Sequence, residues 1–305
     1  MDSGINAKSL VALVALAMAV GAATVGEADP ARVTALQEEG IWPELNEQVW
    51  VGVPAAASPG RTSIIVDKEK RVLVLLVDGV PVVAFPVALG FTPRGDKVKQ
   101  GDGRTPEGHY AICEMLERDL APRYGARSMR LSYPNAKDAA RGASGGLITG
   151  DQLDAIKRAV KAGKMPPQNT RLGSSIRIHG GGIGADWTAG CVALRDRDVV
   201  DLYAAVGMGT EVRVLGRKEK RPYGDRDRDG IPDQIDGLLG AKKTVINGSK
   251  YDGKYVQIPA RGGDVPREIG VCTDVIVRAL RNAGLDLQVE VQADRERRPA
   301  AYPRS

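Results

Sequence analysis

"RTSIIVDKEKRVLVLLVDGVPVVAFPVALG", residues 61–90, decides the fold class. It is dense in Val, Ile and Leu, the residues that suit a pleated surface. Asp78-Gly79 sits between Val77 and Val80 and predicts a two-residue hairpin, because both turn positions tolerate a positive φ. Further strands are predicted at "GHYAICE" (108–114), "SSIRIH" (174–179) and "TEVRVLG" (210–216). Two helices interrupt them. "DQLDAIKRAVKAG" (151–163) carries Asp151 as predicted N-cap and Gly163 as C-cap. "RDRDVVDLYAAVG" (195–207) sets Val199, Val200, Leu202, Tyr203 and Val206 on one apolar stripe. Strands without regular βαβ alternation predict a mainly β domain over 61–216 with peripheral helices.

The rest of the chain divides around this domain. Residues 1–28 hold Lys8 and then an apolar run from Leu10 to about Val25, the order of an export signal. An uncleaved membrane anchor and a buried core helix are the alternatives, and either of the first two puts the body outside the cytoplasm. Residues 29–60 read as a connecting segment closed by "PAAASPG". Residues 217–240 are a charged linker, and 241–305 a small α+β module that looks partial. The chain is 43% hydrophobic and 27% charged, ordinary for a soluble protein. A net charge of +5, with no basic run interleaved with aromatics, gives no support to nucleic-acid binding. Three widely spaced cysteines make no disulfide scaffold.

Chemistry concentrates in "IRIHGGGIGADWTAGCVALRD", residues 176–196. A strand delivers His179 to a glycine-rich loop, and Cys191 follows twelve positions later. An imidazole near a thiol makes a nucleophile at neutral pH. Gly180 lies in the loop, and Gly190 before the thiol is placed to let backbone N–H groups face an oxyanion. Spacing alone leaves the alternative open: a buried cysteine and a hydrogen-bonded core histidine in a tight turn. "HGGG" with "GASGG" around Ser144 also suggests an esterase, but the elbow precedes the loop and no strand leads into it. The glycines lack the helix a dinucleotide loop needs, and no paired ligand spacing marks a zinc site.

Three stretches in order, "LGFTPRGDKVKQGDGRTPEGHYAI", "LSYPNAKD" and "IRIHGGGIGADWTAGCVALRD", resemble the catalytic domain of the L,D-transpeptidases, the YkuD-type domain. The resemblance implies a β-sandwich, Cys191 as nucleophile, His179 as its base, and Thr188-Ala189-Gly190 as the turn presenting the thiol. It implies peptidoglycan stem peptides as partner, outside the cytoplasmic membrane, with no cofactor for catalysis. Many members carry histidine where this chain has Ala189 and arginine where it has Ala193. Asp186, Trp187, Arg195 and Tyr133 are the substrate-binding candidates that remain. A wall-binding protein without turnover is the alternative from another class.

In the linker, Asp225, Asp227, Asp229, Gly230, Ile231, Asp233 and Asp236 stand at positions 1, 3, 5, 6, 7, 9 and 12. Calcium takes oxygen ligands at this spacing, with a backbone carbonyl at position 7, so a calcium loop is the expectation, against a solvated acidic linker. "GGDVPREIGVCTDVIVRALRNAGLDLQ" (262–288) resembles the start of the DUF1287 family, which looks related to papain-like cysteine hydrolases. Cys272 falls where a helix should begin, and a cysteine peptidase or amidase working from it is a further alternative. No histidine follows it in the chain.

Overall fold

The computed structural model describes residues 62–217, 219–246, 249–259 and 262–302. The predicted export signal and connecting segment lie outside them. Among the described residues no helix is long and apolar enough to cross a membrane.

The larger unit is built on one mixed sheet of eight strands: β1 (Thr62–Asp67), β2 (Val72–Val77), β3 (Val80–Pro86), β4 (Gly108–Leu116), β5 (Ser128–Leu131), β6 (Arg177–His179), β7 (Val192–Ala193) and β8 (Glu211–Leu215). Their order is β3-β2-β1-β8-β4-β5-β6-β7. The predicted hairpin forms between β2 and β3, with Val77 opposite Val80. Asp78 at φ 49° and Gly79 at φ 78° both take the left-handed conformation that a two-residue turn of this twist demands.

β4 folds the sheet over. Its first half, Gly108–Ala111, pairs with β8, and from Ile112 onward it pairs with β5, with a register shift between Ile112 and Glu114. A strand that changes partners through a bulge makes a corner between two sheet halves. Tyr110 and Ile112 point inward at that corner, and one core draws on both halves: Ile64, Val66, Leu73 and Leu75 meet Met129, Leu131, Ile178, Val192 and Leu194. The mainly β architecture expected from the strand pattern is thus the architecture found, with the sheet curled over one core as the resemblance implied. The two outer strands meet again beyond β3, where Ala88 and Ala193 exchange backbone hydrogen bonds at 2.9 and 2.8 Å.

Three helices lie around the sheet: α1 (Ala136–Ser144), α2 (Gly150–Lys161) and α3 (Asp196–Ala205). α1 was not expected. It turns Ser144 into the last residue of a helix, which removes the esterase elbow. α2 starts earlier than predicted. Thr149 and not Asp151 is the N-cap, in a capping box with Gln152, and Asp151 supplies charge in the first turn. α3 buries Val199 and Leu202 in the core, with Val206 just beyond it, while Val200 is exposed. α1 and α2 pack on a second cluster of Ala139, Ile148, Ile156 and Leu172.

The smaller unit contains α4 (Asp233–Ile246), a two-stranded parallel pair β9 (Lys250–Tyr251) and β10 (Ile269–Gly270), α5 (Cys272–Asn282) and α6 (Leu287–Arg297). The charged linker therefore ends before residue 240, because "DQIDGLLG" already forms the first turns of α4. α4 and α5 pack closely, and Asn282 donates to the Asp236 carbonyl and carboxylate at 2.9 and 3.0 Å.

Candidate active site

β6 and β7 run parallel with Ile178 opposite Val192 and His179 opposite Ala193. Side chains alternate along a strand, so Ile178 and Val192 enter the core while Arg177, His179, Cys191 and Ala193 share the other face. His179 and Cys191 are then diagonal neighbours across two adjacent strands, the separation at which long side chains can meet.

The imidazole is fixed. His179 is buried, and its Nδ1 lies 2.6 Å from the Gly180 carbonyl. A carbonyl can only accept, so Nδ1 carries the proton and Nε2 is left as the basic nitrogen. Tyr124 and Trp187 contact the ring edge-on, with centroids 5.1 and 5.6 Å away. Trp187 Nε1 donates to the Gly182 carbonyl at 3.1 Å, which locks the indole over the glycine loop. Burial holds the imidazole down to about 4; the Gly180 carbonyl opposes this, and the Arg177 and Arg123 charges add to it.

The thiol of Cys191 donates to the Ser175 carbonyl at 3.7 Å. Burial pushes it above the ordinary thiol range, against the pull of the Arg177 backbone N–H and the charges of Arg177, Lys97 and Arg123. Thiol and imidazole are therefore both neutral in the resting protein at pH 7.

The turn before the thiol is tightly made. Thr188 Oγ1 donates to the Cys191 carbonyl at 2.8 Å and accepts from Gly190 N–H at 3.1 Å. Gly190 N–H is thus used inside the turn, whereas the Cys191 N–H has no partner among the described residues. Gly190 sits at φ 131°, and a Cβ there would lie 2.6 Å from the Arg104 carbonyl, so only glycine fits. Gly180 N–H is also engaged, by the Tyr124 and Arg127 carbonyls at 2.9 and 3.2 Å.

The remaining sequence candidates divide. Trp187 is at the site. Asp186 binds Arg71 through Nε and Nη2 and accepts from Leu89 N–H at 2.9 Å, so it holds the loop in place. Arg195 pairs with the fully buried Asp198 at 2.5 Å, at the start of α3. Tyr133 is fully buried, and its hydroxyl donates to the Leu172 carbonyl at 2.9 Å. In the linker, carboxylate oxygens of Asp225, Asp227 and Asp229 lie within 4.8 Å of one another. Asp233 accepts from Arg226 N–H and Asp236 from Asn282.

Sequence reasoning missed Tyr124, Arg123 and Ser175. The first two come from a 3-10 turn, Pro122–Tyr124, that precedes β5, and no spacing rule ties them to His179. Asp196 does so physically: its Oδ1 accepts from Ala126 N–H and Gly181 N–H, both at 3.0 Å.

Residues 61–214, half of the chain, match the L,D-transpeptidase catalytic domain family. The chain belongs to the L,D-transpeptidase family. Residues 238–305 match DUF1287, a domain of unknown function. A curated relative, the uncharacterized protein YijF of Escherichia coli K12, is 47% identical over 64 residues, which cover 21% of this chain and 31% of that protein. The chain thus spans about a third of that relative's length. Among solved structures, the helical cell shape determining protein Pgp2 of Campylobacter jejuni is similar at 17% identity, covering 78% of this chain and 72% of that one, with a TM-score of 0.37. An L,D-transpeptidase from Mycobacterium smegmatis is similar at 12% identity over 51% and 59% of the two chains, with a TM-score of 0.30. In this L,D-transpeptidase domain, Cys113 and His109 stand apart from the site. Cys113 Sγ faces the Arg130 carbonyl, and His109 is exposed beside Glu211.

Proposed function

We propose that the protein is an exported peptidoglycan L,D-transpeptidase acting through Cys191 and His179. The observation that carries this reading is the placement of a thiol and a tautomerically fixed, neutral imidazole on one face of β6 and β7, in a chain of this family.

Cys191 Sγ leaves the Ser175 carbonyl and gives its proton to His179 Nε2. The sulfur attacks the carbonyl carbon of the third, diamino-acid residue of a tetrapeptide stem. The Cys191 N–H, without a partner among the described residues, faces the charge that develops on oxygen. The C–N bond to the terminal D-alanine breaks, and the imidazolium returns its proton to the leaving amine. An amine of a second stem then attacks the thioester, loses its proton to His179 and restores the thiol as the new amide forms. General acid–base help of this kind contributes about 10²–10⁴-fold, and an oxyanion donor about 10²–10³-fold.

The test is incubation with purified disaccharide-tetrapeptide, with products read by mass spectrometry. A cross-linked dimer with loss of one D-alanine supports the reading. Carbapenem acylation of Cys191 in the intact protein separates it from a wall-binding protein without turnover. An unacylated Cys191 and unchanged substrate sink the proposal.

A further inference from the structure

Behind the nucleophile turn lies a second layer that no step above uses. Thr105 is fully buried. Its Oγ1 accepts from Gly90 N–H at 3.0 Å and donates to the Cys191 carbonyl at 3.4 Å. With Thr188 at 2.8 Å, the Cys191 carbonyl receives two hydroxyl donors from opposite sides in sequence. The Thr105 carbonyl in turn accepts from Lys68 Nζ at 2.7 Å. Lys68 is itself buried, and its other two protons go to the Gly95 carbonyl at 2.7 Å and Glu107 Oε1 at 2.9 Å. An ammonium has three donors, and all three are used. Burial lowers the Lys68 pKa, while Glu107 works against that.

We infer that Thr105, clamped from behind by Lys68, is a positioning residue that fixes the peptide plane of Cys191 and so aims its thiol. The inference rests on the proposed role of Cys191 for its catalytic meaning, but its geometry does not. A peptide plane held at its oxygen has one rotational freedom fewer, and the carbonyl direction sets the path of the chain leaving the nucleophile. The arrangement also explains a buried lysine on β1's turn, far in sequence from the site. Its charge is neutralised by Glu107, and its hydrogen bonds tie the loop of residues 95–107 to the strand that bears no catalytic group. Glu107 and Lys68 also line a cleft of about 760 Å³ with Arg71, Arg94 and Arg217.

The chain has three cysteines, so [1-¹³C]cysteine labelling produces three carbonyl resonances, assigned by single substitution. The Cys191 carbonyl resonance is compared between the unsubstituted protein, Thr105→Val and Thr105→Ser, with the Thr188 donor present in all three. Thr105→Val is expected to move that resonance, and to slow Cys191 alkylation by iodoacetamide and carbapenem acylation about two- to tenfold, the worth of one hydrogen bond. In turnover the loss falls on kcat with KM little changed, and Thr105→Ser restores it. A Thr105→Val protein with wild-type carbonyl resonance and alkylation rate overturns the inference. A wild-type protein that alkylates but neither acylates nor turns over removes the enzyme reading and leaves the carbonyl test standing.

Discussion

Cys191 Sγ directs its proton at the Ser175 carbonyl, 3.7 Å away, and no hydrogen bond joins it to His179 among the described residues. Ser175 holds a left-handed backbone at φ 56°, an unfavourable conformation for a residue with a Cβ, which turns its carbonyl to the thiol. The resting pair is thus a protonated thiol and a neutral ring. Burial lowers the imidazole from 6.5 to about 4. The acid limb of turnover is therefore expected near pH 4 and not near 6.5. Iodoacetamide alkylation at Cys191 should keep rising beyond the ordinary thiol range. A stopped-flow pH series of both rates measures this, and an acid limb at 6 to 7 contradicts it.

The same lowered value links to stability. The neutral imidazole is favoured by the fold, so His179 contributes fully above pH 6.5, and this is lost as pH falls from 6.5 to about 4. The loss is about 3 kcal/mol. Asp138, pushed up to about 6 by burial, works with the opposite sign over the range 6 to 3.8. The comparison of wild type with His179→Gln isolates the histidine: the variant's melting midpoint should fall less steeply below pH 6.5, as read by circular dichroism.

Trp187 holds the His179 ring from one edge. Trp187→Ala removes that contact and the bond to the Gly182 carbonyl. An edge-to-face pair contributes about 0.5–1.5 kcal/mol, so kcat should drop about two- to tenfold, with the thiol still titratable. Trp187→Phe should recover most of it.

Gly190→Ala puts a Cβ 2.6 Å from the Arg104 carbonyl at a φ of 131°. Backbone meets backbone there, and neither side yields easily. A loss of ~3 kcal/mol in urea unfolding is expected, together with loss of carbapenem acylation. A stable Gly190→Ala protein that acylates normally would show the turn to be looser than described.

Asp102 organises the loop that carries Thr105. It accepts from Lys97, and from the N–H groups of Val98, Lys99 and Arg104. Burial works to raise its carboxyl, but these donors outweigh it and hold it at about 2. Its contribution is present above pH 3.8 and lost as pH falls to about 2. Asp102→Asn should cost on the order of 1 kcal/mol at pH 7 after solvent screening, with a difference from wild type that closes near pH 2.

Cys272 is exposed at the start of α5, and the chain's two histidines, His109 and His179, both lie in the larger unit. Cys272→Ala should keep wild-type turnover of disaccharide-tetrapeptide, while Cys191→Ala abolishes it. The opposite pattern would move the chemistry to the smaller unit.

Much of this was legible in local pattern. Val77-Asp78-Gly79-Val80 announced its hairpin because a two-residue turn needs positive φ at both centres, and few dipeptides supply it. Cys191 and His179 stood out because cysteine and histidine are rare residue types in this chain. Asp151 misled as a cap because Thr149 competes two positions earlier and has Gln152 to complete the box. The burial of Tyr133 was not legible, because similarity to a family stretch says nothing of which way a side chain faces.

Sequence alone determined the strand-rich class and the hairpin, and it singled out Cys191 and His179 as candidates, since each depends on residues close along the chain or on their chemistry. The tertiary structure decided which groups surround that pair. Tyr124 reaches His179 from 55 positions away, and Thr105 reaches Cys191 from 86. Such contacts depend on how β4 bends and which strands become neighbours, and the energy that selects them is spread over the whole core.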